Sequence, residues 1–294
     1  MATTPLFLPD VFLPVPSHRA LAGRVEAAMH GSVERAAAVG APPRLREALS
    51  YAVFPGGGRL RPQLCLVAAL ACGDADPDSA DGAAAAVELL HCASLVHDDM
   101  PCFDDADARR GKPAVHKAFG EATALLVGDA LIVQAFAEVG RTPRAGALVS
   151  TLAEAAGATR GIIAGQAWES EPAVALDAYH RAKTASLFEA AAAMGAIAAG
   201  ADPEPWRAFG DAVGRVYQSA DDIADATADP RALGKPVGKD AELGRPSIVR
   251  TRGLDGARAK VEAQLRAAHD AIPSGPGELL VRSWIERFAA RAGL

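Results

Sequence analysis

The sequence predicts an all-α protein, on three observations. Half of its 294 residues are apolar, yet aromatics make up only 5%. Alanine dominates the apolar set; it is the strongest helix former and lets helices approach closely. Apolar residues fall in helix-length runs, and no stretch alternates apolar with polar as a half-buried strand does. The length suits one large domain or two ordinary ones. With no internal repeat beyond two acid clusters and no low-complexity linker, a single domain over residues 1–294 is expected.

Residues 1–17 carry four prolines and read as irregular. A first helix is expected from Ser17 to Val39. Gly40-Ala41-Pro42-Pro43 punctuates, and a second helix starts there. Pro55-Gly56-Gly57-Gly58-Arg59-Leu60-Arg61-Pro62 is a turn opening a helix. That helix, through Leu66 and Ala69, is apolar nearly all round and belongs inside the fold. Asp74 to Asp81 reads as a loop, and Gly82 to His97 as a long apolar helix. Pro101 disrupts it just past Asp99. Ala106 to Lys117 is a polar connection. Helices are expected over Glu121–Val139, Ala145–Ile163, Leu176–Gly200 and Glu204–Ala224. Thr227 to Pro246 is a long loop rich in Gly, Lys and Asp. Helices then run to the C-terminus, broken at Ile272 to Pro276.

The net charge of −6 argues against nucleic acid as a partner but leaves phosphorylated small molecules open. Cys65, Cys72, Cys92 and Cys102 form no CxxC pair, so reduced, buried thiols are expected. The N-terminus lacks the basic start of a signal peptide. No apolar run is read as reaching the ~20 residues that span a bilayer. A soluble, cytoplasmic protein is the expectation.

Two acid clusters carry the chemistry. Asp98, Asp99 and Asp104 end or follow one apolar helix; Asp221, Asp222 and Asp225 end another. Ionised carboxylates in such places cost several kcal/mol unless cations or hydrogen bonds compensate. Asp221 and Asp225 share a helix face, with Gln218 and Tyr217 one turn earlier. A hard cation such as Mg2+ would remove the repulsion, taking oxygen ligands and substrate phosphates together; a solvated acidic face is the bland alternative. Asp104, after the proline-disturbed turn, can swing back toward Asp98. His91 lies two turns before Asp98 on the same helix face. Arg109 and Arg110 offer planar forks that suit phosphate, or else pair with Asp105 and Asp107 on the surface. Arg59 and Arg61 open a helix after a glycine turn. Lys183-Thr184 lies within a helical run, and Lys235 and Lys239 follow the second cluster.

Together these residues resemble the trans-type polyprenyl diphosphate synthases. The pieces are GGGRLRP, LLHCASLVHDDMPCFDDADARRGKP, HKAFGE, LLVGDALI, GQAWES, AKTASLF, YQSADDIAD and GKPVGKD, from Pro55 to about Arg250 and in the family's order. The resemblance implies an isoprenoid synthase fold, with long antiparallel helices around a deep cavity, and a homodimer. It implies three Mg2+ ions between the clusters, with Asp98, Asp104 and Asp221 as ligands and Asp99, Asp222 and Asp225 in support. It implies an allylic diphosphate near Arg109, Lys183 and Lys235, with Thr184, Gln218 and Lys239 close by. Isopentenyl diphosphate would meet Arg61, His91 and Arg110, with Arg59 nearby.

Where the family's glycine turn carries a lysine, this chain has Gly58. One charge-assisted bond to isopentenyl diphosphate is thereby missing, worth ~1.5–3 kcal/mol; weaker binding, not inactivity, is expected if Arg59 or water takes over. Ala106, often acidic in relatives, is a lesser departure. Ala93, Ser94, Leu90 and Val87, a turn or more before the first cluster, would set product length. Ala93 and Ser94 are small and would leave the floor open. The segments HCASLVHDDMP and GQAWES look most like geranylgeranyl diphosphate synthases of carotenoid-making bacteria. Farnesyl diphosphate synthase and a non-catalytic subunit of a heteromeric synthase are the alternatives. Terpene cyclases share DDxxD but pair it with an Asn/Ser/Glu metal motif, and none is found here.

Overall fold

The computed structural model describes residues 16–54, 57–172, 175–227 and 247–294. They build the expected all-helical architecture. In order come α1 (His18–Ala36), α2 (Pro43–Val53), α3 (Leu60–Ala71), α4 (Pro77–Asp98), α5 (Val115–Phe119), α6 (Glu121–Gly140), α7 (Ala145–Ala156), α8 (Ile162–Ala167), α9 (Leu176–His180), α10 (Ser186–Ala199), α11 (Glu204–Thr227), α12 (Ile248–Asp270) and α13 (Glu278–Arg291).

Helix α4 lies at the centre and packs on α1, α3, α6 and α10. Its alanines Ala83 to Ala86 are buried, as are Val87, Leu89 and Leu90. Helix α10 is also buried nearly all round and packs on α3, α4, α7 and α11. Helix α12 lies on α11, and α13 lies on α3. Small residues make this closeness possible. A Cβ at Gly195 of α10 would sit 2.1 Å from the carbonyl oxygen of Cys65 in α3.

Several expectations need correction. Helix α4 begins at Pro77, inside the expected loop: Asp76 accepts the Ser79 N–H at 3.2 Å, and Pro77 takes the first helical position. The polar connection contains a two-stranded hairpin, Ala108–Arg109 with Lys112–Pro113, pairing Arg109 with Lys112. Its turn residues Arg110 and Gly111 both have positive φ, 52° and 77°, the geometry that two-residue hairpins prefer. The expected helix Ala145–Ile163 stops at Ala156; α8 follows after Gly157 to Gly161. The expected helix Leu176–Gly200 contains a π-helical turn at Arg181–Ala185.

Helix α6, contrary to the expectation, is 20 residues long and apolar enough to cross a bilayer by length and composition. In this fold its Ala124, Val127, Gly128, Leu131 and Ala135 are buried. Its Gln134 and Glu138 are buried too, and Arg35 of α1 pairs with Glu138 at 2.6 Å. Of the four cysteines, Cys65 and Cys92 are buried, Cys72 is partly exposed and Cys102 is exposed; all are free thiols. The expected irregular segment 1–17 is described only from residue 16. The loop after the second cluster, with Lys235 and Lys239, lies outside the described residues.

The α3–α10 contact makes a direct prediction. Gly195→Ala should lower unfolding free energy by about 1–3 kcal/mol, because a backbone carbonyl blocks the added methyl. Gly23→Ala, at an open position inside α1, should raise it by up to about 1 kcal/mol. Chemical denaturation of both variants checks the contrast.

Candidate active site

The first cluster owes its shape to the chain after α4. The Asp104 N–H donates to the Asp98 carbonyl at 2.9 Å, and the Ala106 N–H to the Asp99 carbonyl at 3.1 Å. These bonds fold residues 99–106 back on the helix end, so Asp104 returns to Asp98. One oxygen each from Asp98, Asp104 and Glu169 lie within 4.8 Å of one another. Glu169 comes from a 3₁₀ turn, Trp168–Ser170, directly after α8. Gln166 of α8 donates to Asp98 Oδ1 at 2.6 Å. Helix α8 can lie this close because Gly165 has no side chain; a Cβ there would fall 2.3 Å from the Lys183 Cα.

Three carboxylates so close repel strongly in a partly buried site. The donor set is all oxygen, which suits a hard divalent ion such as Mg2+. Asp221 is not one of this trio. Asp99, beside it, is committed to Arg109, with contacts of 2.5 and 3.1 Å. Burial pushes the Asp99 carboxyl up, and the Arg109 hydrogen bonds only partly offset that. Burial opposes the charge of Arg109, but Asp99 outweighs it and the guanidinium is held above its ordinary value. Arg109 also lies 3.9 Å from Asp98. The surface pairing considered for Arg109 and Arg110 does not occur: Asp105 and Asp107 each meet Lys117 at 3.1 Å.

The second cluster lies on α11. Asp222 is buried and fully engaged. It accepts from Gln218 Nε2 at 2.8 Å and from the Ile248 N–H at 2.8 Å, with His180 at 3.7 Å. Asp222 thus ties α11 to the start of α12, and burial raises its pKa. Asp221 and Asp225 are half-buried. The π-helical turn links the two clusters. Lys183 binds Glu169, which also accepts from the Tyr179 hydroxyl at 2.5 Å. Its neighbour Thr184 binds Gln218. Consecutive residues thereby reach the carboxylate trio on one side and the α11 cluster on the other. π-Turns often mark functional positions.

A cationic group gathers around His91, two turns before Asp98 in α4. The Arg61 guanidinium is buried, 4.6 Å from the centre of the Phe188 ring and 5.7 Å from that of Tyr217. Its Nε has no hydrogen-bond partner, and burial lowers its pKa. His91 is held well below its ordinary 6.5, first by desolvation and then by the charges of Arg61, Arg110 and Arg109; it is therefore neutral near pH 7. Arg110 lies against Gly57, where a Cβ would meet its guanidinium at 2.4 Å. Both Arg59 and Arg110 hold positive φ, 48° and 52°, uncommon for residues with a side chain. Arg59 is occupied: it donates to Glu26 at 3.0 Å, Glu88 at 2.9 Å and the Val53 carbonyl at 2.9 Å.

Of the positions expected to set product length, Ala93, Leu90 and Val87 are buried within α4. Ser94 is half-buried and donates to the His91 carbonyl at 2.8 Å. Sequence reasoning quoted GQAWES as a motif but gave Gln166 and Glu169 no role, and it missed Tyr179. The available signal was that Glu169 follows Gln166 by three, the spacing that places two side chains together on a helix.

A model of the polyprenyl synthetase family matches residues 42–277. The chain is 50% identical over 273 residues to a geranylgeranyl diphosphate synthase of Cereibacter sphaeroides, covering 91% of this chain and 95% of that protein. It is 49% identical to the Rhodobacter capsulatus protein of the same name, covering 90% and 94%. Among solved structures, a geranyltransferase from Helicobacter pylori complexed with magnesium and isoprenyl diphosphate superposes with a TM-score of 0.77 at 28% identity, covering 94% of this chain and 99% of that one. With the family model spanning most of its length and the helical architecture shared, this chain belongs to the polyprenyl synthetase family.

Proposed function

We propose that the protein condenses isopentenyl diphosphate with allylic diphosphates and makes geranylgeranyl diphosphate. One observation carries this reading: the acid trio gathers at the end of α4, and the charges of Arg61, Arg110 and Arg109 gather around His91, two turns earlier on the same helix. His91 and Asp98 are seven residues apart in α4, about 10 Å along its axis. Such a site can hold one diphosphate through metal and the other through arginine.

Asp98 and Asp104, with Asp221 from the second cluster, would hold magnesium, three ions in all with diphosphate bound. The chemistry magnesium supplies when bound is withdrawal of charge from the leaving diphosphate. Gln166 orients Asp98, and Lys183 and Tyr179 orient Glu169. Arg109, fixed by Asp99, places positive charge beside Asp98, where negative charge grows as the allylic C–O bond breaks. The departing diphosphate keeps the electron pair. Arg61 and Arg110 hold isopentenyl diphosphate, and a neutral His91 adds a hydrogen bond without further repulsion. The double bond of isopentenyl diphosphate attacks the allylic cation, forming the new C–C bond. The proton then lost goes to the released diphosphate. The apolar side chains of α4 keep water from the cation.

The relatives named geranylgeranyl diphosphate synthase support this product, as does the small Ala93. The test is incubation with isopentenyl diphosphate, Mg2+ and each short allylic diphosphate in turn, followed by chromatography of the dephosphorylated alcohols. Geranylgeraniol should dominate, and a strong chelator should abolish its formation; turnover undiminished by chelator would sink the reading. Ala93→Phe should shorten the product toward farnesol. An unchanged product profile would mean that the tail pocket is floored elsewhere.

The protein is further expected to pair with a second copy of itself through α6. Its outer side exposes Leu125, Leu126 and Val133, and Val133 is 69% exposed. Leu126 and Val133 are seven apart and share a face, an apolar stripe that water disfavours. Sedimentation should give a dimer, and Leu126→Glu with Val133→Glu should give a monomer. A wild-type monomer at micromolar concentration would overturn the pairing.

A further inference from the structure

We propose that Arg291, at the end of α13, supplies the positive charge that Gly58 lacks and contacts the diphosphate of isopentenyl diphosphate. The inference rests on the assignment of that substrate to the Arg61–Arg110 pocket. Three observations lead to it. A Cβ built at Gly58 would lie 3.9 Å from Arg291 Nη2, and its nearest neighbour would be the Leu60 side chain at 3.5 Å. A side chain at residue 58 would therefore meet only ordinary contacts nearby, one of them a guanidinium. Arg291 is exposed and its side chain makes no ion pair or hydrogen bond with any described residue, whereas Arg59, the nearer arginine in sequence, is committed to Glu26 and Glu88.

The third observation is how α13 is anchored. At its start, Gly277 lies so close to Ala71 at the end of α3 that a Cβ would fall 2.2 Å from the Ala71 Cα. Along it, Trp284, Ile285 and Phe288 are buried. Phe288 stacks on Trp284 at 5.5 Å and meets Tyr217 at 6.4 Å between ring centres. Tyr217 in turn lies against Arg61. Arg291 follows Phe288 by three residues and so occupies the same face one turn on. The aromatic contacts that seat Arg61 thus also set the position of Arg291. A guanidinium brought from the far end of the chain stands where a side chain on residue 58 would reach. An arginine fork binds a diphosphate as well as a lysine does.

The test is a double-mutant cycle on Arg291→Ala and Gly58→Lys, with Arg110→Ala as reference. The Michaelis constant for isopentenyl diphosphate is measured at saturating allylic substrate. Arg291→Ala should raise it about tenfold, the low end for a charge-assisted bond at an exposed site. The turnover number and the allylic constant should stay within about twofold. Gly58→Lys added to Arg291→Ala should restore the constant to within about twofold of the native value, which repair of a merely structural defect would not do. Should Arg291→Ala lose helical content by circular dichroism, Arg291→Gln provides the same charge removal. An unchanged constant in Arg291→Ala, or a raised one that Gly58→Lys does not lower, overturns the proposal. If Arg110→Ala also leaves the constant unchanged, the pocket assignment itself fails; if Arg110→Ala raises it while Arg291→Ala does not, only the role of Arg291 falls.

Discussion

The crowding of like charge at the end of α4 is the constraint on which the site depends. Asp98, Asp104 and Glu169 bring carboxylate oxygens within 4.8 Å of one another. In a partly buried setting such a trio persists only when its neighbours are arranged to hold it. Gln166 is aimed at Asp98, and Lys183 and Tyr179 are aimed at Glu169. Asp99 is withdrawn from the trio by Arg109. The fold around the site is largely the means of putting these partners in place. Helix α8 must reach the π-turn, so residue 165 is glycine; the loop after Asp99 must double back, so its amides bind the last turn of α4.

Small residues meet that demand. Helices α3, α4 and α10 approach closely through alanine and glycine, and Leu64, Leu66, Leu89, Phe188 and Met194 fill the space between them. Close helix axes leave little room for rearrangement, because interiors are packed as tightly as crystals. The acidic and basic groups are therefore carried on a stiff frame. Preorganised charge stabilises developing charge without a reorganisation cost at the moment of reaction, and the stiffness serves that end.

Much of this was legible in the sequence. Helix class, helix order and the two acid clusters follow from composition and period, because apolar spacing reports the buried face directly. The return of Asp104 to Asp98 was also legible, since a proline in that position forces a turn. Other features were not. The start of α4 at Pro77 was obscured by Asp74, Asp76, Asp78 and Asp81, whose polarity reads as loop although Asp76-Pro77 is a helix-start pair. The π-turn at Arg181–Ala185 leaves no mark on an apolar period, because it inserts one residue into an otherwise regular helix. The partner of Arg109 was hidden for a different reason. Asp105 and Asp107 are nearer in sequence, but the hairpin turns Arg109 toward Asp99 and leaves them to Lys117. The position of Arg291 beside Gly58 joins residues more than two hundred apart, and local pattern cannot report it.

The hairpin after the first cluster makes two adjacent arginines unlike one another. Arg109 lies on a strand and grips Asp99; Arg110, in the left-handed turn, rests on Gly57. Strand side chains alternate in direction, so a slip of one residue reverses every assignment. Adding or deleting a single residue between Asp99 and Ala108 would thus turn Arg109 away from Asp99. The segment behaves as a ratchet tooth whose count of residues, as much as their identity, decides what each guanidinium meets.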